Sequence, residues 1–137
     1  MSKYDSFQTT LREEEPLIAA LKGLGYPVEI HASGACLYGY HGDERPERAQ
    51  IIIRREHLNC ASNDIGFARQ HDGRFAAIVS EYDQSIGFGR VWLNRVHQSY
   101  KEQRTLAMAR RQGYVLRGRH VIQTEKGEQV KLIFGTR

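Results

Sequence analysis

His57-Leu58-Asn59-Cys60 sets an imidazole and a thiol three positions apart, a spacing from which both can reach one zinc ion. His71, and beyond it His31, His41 and Cys36, would have to complete such a centre. Structural zinc motifs carry two close pairs, and one pair is present here. The stretch therefore reads as a surface loop, with His57, Cys60 and His71 as its metal candidates and no cofactor expected. Cys36 sits in a strand-like run and reads as a small buried apolar residue. The same groups suggest nucleophile and base, but a reactive cysteine needs a lowered thiol pKa, and no nucleophile elbow occurs. Asp64 and Glu81, expected on neighbouring strands, are the carboxylate pair that a small metal-dependent hydrolase or nuclease would use, with His71 beside them. Gly87-Phe88-Gly89 lacks the third glycine of a dinucleotide fingerprint and the Gly-Lys-Ser/Thr of a phosphate loop, which leaves ordinary turn chemistry. No catalytic residue is assigned, and the expectation is a non-enzymatic protein.

The charge layout points to binding instead. Residues 1–87 hold 9 Lys/Arg against 13 Asp/Glu, whereas residues 88–137 hold 11 against 3, within a formal net charge of +4. Arg90, Arg95, Lys101, Arg104, Arg110, Arg111, Arg117 and Arg119 carry the positive excess, with Trp92 and Tyr114 as candidates to stack on bases. Such an excess suits an acidic protein partner, nucleic acid, or the acidic half of a second copy in a homodimer. It equally suits the solvent face of a helix. The ribonucleoprotein consensus, the Gly-x-x-Gly clamp and zinc-finger spacing are all absent.

The elements that must position these groups follow from periodicity. Ser6–Leu11 alternates as a strand. Glu13–Glu15 and Pro16 open a helix whose Leu17, Ile18, Leu21 and Leu24 share a face, with Gly25 as its stop. Val28–His31 and Ala35–Tyr40 read as two strands about a Ser33-Gly34 turn, and Arg48–Arg55 as a central strand around Ile51-Ile52-Ile53. Glu56–Asn63 is irregular. Asp64–Gln70 and Arg74–Tyr82 pair around Asp72-Gly73. A long helix spans Arg90–Gln112, stopped by Gly113, and a hairpin of Tyr114–Thr124 and Gln129–Gly135 turns at Lys126-Gly127. The order β-α-β-β-β-β-β-α-β-β predicts a single α+β domain over residues 1–137: a mostly antiparallel curved sheet with two helices packed on one face. With 40% apolar and 26% charged residues the chain is no disordered segment. No run is long enough for a membrane helix, and Met1-Ser2-Lys3-Tyr4-Asp5-Ser6 lacks the apolar core of a signal peptide. Two cysteines cannot make a disulfide scaffold, so a cytoplasmic protein with reduced thiols and no membrane partner is expected.

Several stretches resemble one family in order: Ser6-Phe7, Leu24-Gly25-Tyr26, Gly39-Tyr40 with Ala49 to Arg54, Asp64-Ile65-Gly66-Phe67, Leu93-Asn94-Arg95-Val96 with Gln98 and Tyr100, and Gln112-Gly113-Tyr114. The chain is similar over nearly its whole length to the family called hypothetical chloroplast reading frame thirty-five, also known as domain of unknown function 1257. The Glu56–Asn63 stretch is longer than the family's usual loop, and the last 50 residues are more basic. The resemblance implies an accessory or adaptor role, with an AAA-type ATPase system as a possible partner, and implies no active-site residues. The reading is thus a cytoplasmic adaptor that docks an acidic partner through its arginine-rich second half; the alternative is a nucleic-acid-binding protein using the same surface, and the third a small hydrolase or nuclease.

Overall fold

β-Branched and small apolar residues alternate through the middle of the chain, and those runs become the sheet. The computed structural model describes residues 3–136; Met1 and Ser2 of the opening segment lie outside the described residues. Strands β1 (Tyr4–Gln8), β2 (Glu29–Tyr38), β3 (Glu44–Ile53), β4 (Ile65–Arg69) and β5 (Phe75–Ser80) form one antiparallel sheet in the order β1-β5-β4-β3-β2. Helix α1 (Glu14–Gly23) follows β1, a short α2 (Glu81–Ser85) follows β5, and α3 (Arg90–Arg111) follows α2. The chain closes with β6 (Tyr114–Thr124) and β7 (Gly127–Thr136), which pair with each other as a separate two-stranded sheet. The architecture is α+β and antiparallel, as the element order predicts.

One face of the sheet carries Ile51, Ile53, Ile65, Phe67, Ala77 and Val79 against Leu17 and Leu21 of α1 and Trp92, Leu93 and Val96 of α3. Period-2 strands and 3.6-period helices meet here, each contributing its apolar side. Tyr100 ties the two helices together. Its hydroxyl accepts from the backbone N–H of Arg12 at 3.3 Å and of Glu13 at 3.0 Å, satisfying donors at the start of α1 where Glu13 offers no side-chain cap.

The other face holds a smaller cluster of Tyr4, Leu37, Ala49 and Ile52. The β2–β3 pair curls across it, and Gly66 makes the crossing possible. A Cβ at Gly66 would lie 2.6 Å from Cβ of Ala49 and 3.0 Å from Cδ2 of Leu37. Tyr4, on the outermost strand, donates to the carbonyl of Asp64 at 2.7 Å and lies under the Arg45 guanidinium, 5.0 Å from its ring centroid. The curve thus brings β1 to the base of the β2–β3 pair.

Three local readings change. Ser33-Gly34 reverses nothing: β2 runs through it, and Gly34, at φ +83°, absorbs a bulge where pairing slips from Ile30–Ile51 to Ala35–Ala49. The strand expected over Arg74–Tyr82 stops at Ser80, whose Oγ accepts the N–H of Asp83 at 3.0 Å and caps α2. The first strand is Tyr4–Gln8 rather than Ser6–Leu11, because Thr9 and Leu11 bond to the backbone of Phe75 beyond the strand's end.

Candidate functional site

The eight basic residues named from the sequence are all exposed, but they do not share a face. At about 100° per residue, Arg95 and Arg104 lie half a turn apart on α3. Two of the eight are bound internally. Arg104 meets Glu13 at 2.6 Å, and Arg119 of β6 meets Glu102 of α3 at 2.5 Å and 3.2 Å as a fork. The Glu102 bond holds the Arg119 guanidinium above its ordinary pKa. Arg90 lies over the Phe7 ring at 5.7 Å, and Arg117 crosses bare Gly135 to donate to the Thr136 carbonyl at 2.9 Å. Arg95, Lys101, Arg110 and Arg111 pair with no carboxylate among the described residues. Arg110 and Arg111 border a cleft of about 480 Å³ with Arg12 and Arg69, where Glu13, Glu14 and Glu15 offset the positive charge.

Trp92 is no stacking platform. It is 4% exposed, packs edge-on to Tyr26 and Phe88, and donates its indole N–H to the Tyr26 hydroxyl at 3.2 Å. Tyr114 stays on the surface at 43% exposure. Phe88 of the Gly87-Phe88-Gly89 turn belongs to the same aromatic group, so the turn feeds the core.

The hairpin's seat on α3 is a groove. Val130, Leu132 and Phe134 of β7 face Gln98, Lys101, Glu102 and Thr105 across about 350 Å³. Arg95 lines a neighbouring cleft with Arg119 and Val130. Gln98 donates to the Glu128 carbonyl at 3.1 Å, and the Arg119–Glu102 fork closes the middle. Beyond these contacts Leu116, Val121, Ile122 and Ile133 remain 39% to 46% exposed. A two-stranded ribbon gains little stability by itself, so so much apolar surface on one is unusual for a part that serves stability alone.

The metal and catalytic candidates separate. His57, Cys60 and His71 are each exposed, and His57 reaches Glu56 at 3.7 Å. Among the described residues no three His, Cys, Asp or Glu side chains come together as a metal site. Cys36 is half-buried rather than core, its sulfur accepting from Arg48 at 3.3 Å. Asp64 and Glu81 do not pair. Glu81 is exposed at the start of α2, while Asp64 is 1% exposed and has a donor on each carboxylate oxygen. The Asp64 carboxylate accepts from the backbone of Tyr38 and Arg55 at 2.7 Å each and from Arg54 at 2.8 Å. Arg54 also reaches Glu29 at 2.8 Å, and with His31 beside it the Glu29 carboxyl is lowered to about 2. Asp64, buried with a donor on each oxygen, is therefore a staple between β2, β3 and β4.

Sequence reasoning missed a second buried acid, Asp83. It accepts from Ser80 Oγ at 2.6 Å and from the backbone and side chain of Asn63 at 3.0 Å and 3.2 Å, while its Oδ1 has no donor. Ser80-x-x-Asp83 was the available signal, a capping pattern at a strand's end. Asn63 also accepts from the Tyr40 N–H at 2.8 Å, linking α2 to the turn after β2. Burial, followed by Asp64, pushes the Tyr4 phenol above its ordinary pKa, so it stays a neutral donor.

The fold and these sites define a sheet-and-helix domain with a charged, apolar-lined projection. A family model described as "Protein of unknown function (DUF1257)" matches residues 20–132, and the chain belongs to that family. No curated protein and no solved structure matches it. No helix among the described residues is long and apolar enough to cross a membrane.

Proposed function

We propose that this chain is a non-enzymatic, cytoplasmic binding module, a relative of the chloroplast reading frame thirty-five proteins, that docks an acidic segment of a protein partner through its second half. The groove between α3 and β7 carries the reading. Val130, Leu132 and Phe134 supply an apolar floor, Glu102 on the same wall is taken up by Arg119, and Lys101, with Arg95 in the neighbouring cleft beside Glu128, supplies cations that no carboxylate pairs. An amphipathic segment bearing carboxylates would bury apolar side chains on that floor and set its charges against the cations. The buried state of Trp92 removes one of the two stacking platforms that nucleic-acid binding would use, which favours a protein.

The test is affinity capture from native lysate, split with and without nuclease. A protein retained after nuclease by the unaltered chain, and lost with Arg95→Glu plus Lys101→Glu, is the expected result. Capture of nucleic acid that nuclease abolishes would replace this reading with the nucleic-acid one.

A further inference from the structure

β7 has a single neighbour in its sheet. Its register with β6 closes at Thr124–Gly127 around a two-residue turn, so bonds between the strands recur at every second residue from Gly127. The backbone N–H and C=O of Glu128, Val130, Leu132 and Phe134 therefore point away from β6, to the free edge. Gln98 of α3 marks that direction, donating its side-chain amide to the Glu128 carbonyl at 3.1 Å. Past Glu128, the outward groups of Val130, Leu132 and Phe134 have no partner among the described residues.

The other long edges are interrupted. β2 bulges at Gly34, and Arg48 and Arg54 donate to its Gly34 and Cys36 carbonyls at 2.7 Å and 3.2 Å. β6 bulges at Arg117. From Val130 to Phe134, β7 has neither a bulge nor a capping side chain, and an edge left in that state is a template for a further strand.

The same residues border the groove. Asn94, His97, Gln98, Lys101 and Thr105 form one stripe of α3 beside β7. The stripe is about 16 Å long, the length of about five strand residues. Its charges are ordered along it. Glu128 stands at one end and accepts from Gln123 at 3.3 Å, Glu102 is held by Arg119, and Lys101 pairs with no carboxylate among the described residues.

We infer that the acidic segment proposed above, on whose docking this rests, binds as an added strand. Its backbone pairs with Val130, Leu132 and Phe134, its alternate side chains enter the groove, and a carboxylate among them meets Lys101. A helical segment would leave the edge unpaired, because its own backbone groups are already bonded to each other.

The probe is the capped peptide acetyl-Thr-Val-Thr-Glu-Thr-Val-Thr-amide, titrated into the isotope-labelled full chain and read by amide chemical shifts. Saturable shifts at Val130, Leu132 and Phe134 are expected. Two analogues locate the backbone bonds, one N-methylated at Val, Glu and Val and the other at the two Thr residues between them. One analogue should lose about tenfold or more in affinity and the other no more than about threefold, since only one set of N–H groups faces β7. The sensitive set is the first if the added strand is antiparallel to β7 and the second if it is parallel. Lys101→Glu should reverse the preference from this peptide to the one with Lys in place of Glu. Equal affinity of the two analogues, no saturable shifts at millimolar peptide, or a free chain that sediments as a dimer with these amides already protected would overturn the strand assignment. Capture of the partner from lysate, and its loss with Arg95→Glu plus Lys101→Glu, reads the docking role separately, so either can fail alone.

Discussion

The five-stranded sheet and the β6–β7 hairpin use the same kinds of residue and hold their shape by different means. Ile51, Ile52, Ile53 and Phe67 are wholly buried because apolar residues cover both faces of the sheet. In the hairpin, Leu116, Val121, Ile122 and Ile133 keep 39% to 46% of their surface, and what pins the ribbon to α3 is one charged fork, one amide bond and a groove. The sheet's apolar residues are accounted for by its own fold. Those of the hairpin are not, and the second region is where an external partner has most to gain.

Substitutions sharpen that contrast. Phe67→Ala should cost about 3–5 kcal/mol in denaturant unfolding, since the site is packed by strands and both long helices; a cost near that of a surface change would break the distinction. Gly66→Ala should cost about 1–3 kcal/mol by the same measurement, because Ala49 and Leu37 occupy the space of the added methyl. Tyr100→Phe should cost about 0.5–2 kcal/mol, the scale of a lost helix cap, with far-ultraviolet dichroism showing α1 weakened first. Ile122→Ser in the hairpin should move stability by no more than about 0.5 kcal/mol.

A pH series adds the smallest effect. Burial, followed by Lys101, holds the His97 imidazole below 6.5 in the folded chain. The unfolded chain therefore takes up the proton first as pH drops, so stability is full above 6.5 and declines below it. His97→Gln should flatten the unfolding midpoint between pH 7 and pH 5. An unaltered slope would remove His97 as its source.

Much of the fold was legible because its signals are local. The Arg90–Arg111 helix and the Tyr114–Thr124 strand follow from periodicity and from Gly113, and Ile51-Ile52-Ile53 could hardly be anything but a strand. The site was less legible because its geometry is long-range. Asp64 looked like a free carboxylate until Tyr38, Arg54 and Arg55 were placed around it, and Trp92 looked available until Tyr26 covered it. The basic residues are concentrated in one part of the sequence, yet helical rotation spreads six of them around α3, two fall on β6, and Glu13 and Glu102 take Arg104 and Arg119.

The docking role is tested most directly by amide hydrogen exchange on the free chain and on the chain bound to the protein captured after nuclease treatment. Slower exchange across Tyr114–Thr136 and the outer face of α3, with β3, β4 and β5 unchanged, is the predicted result. Unchanged exchange in the hairpin, with protection appearing elsewhere, would contradict it.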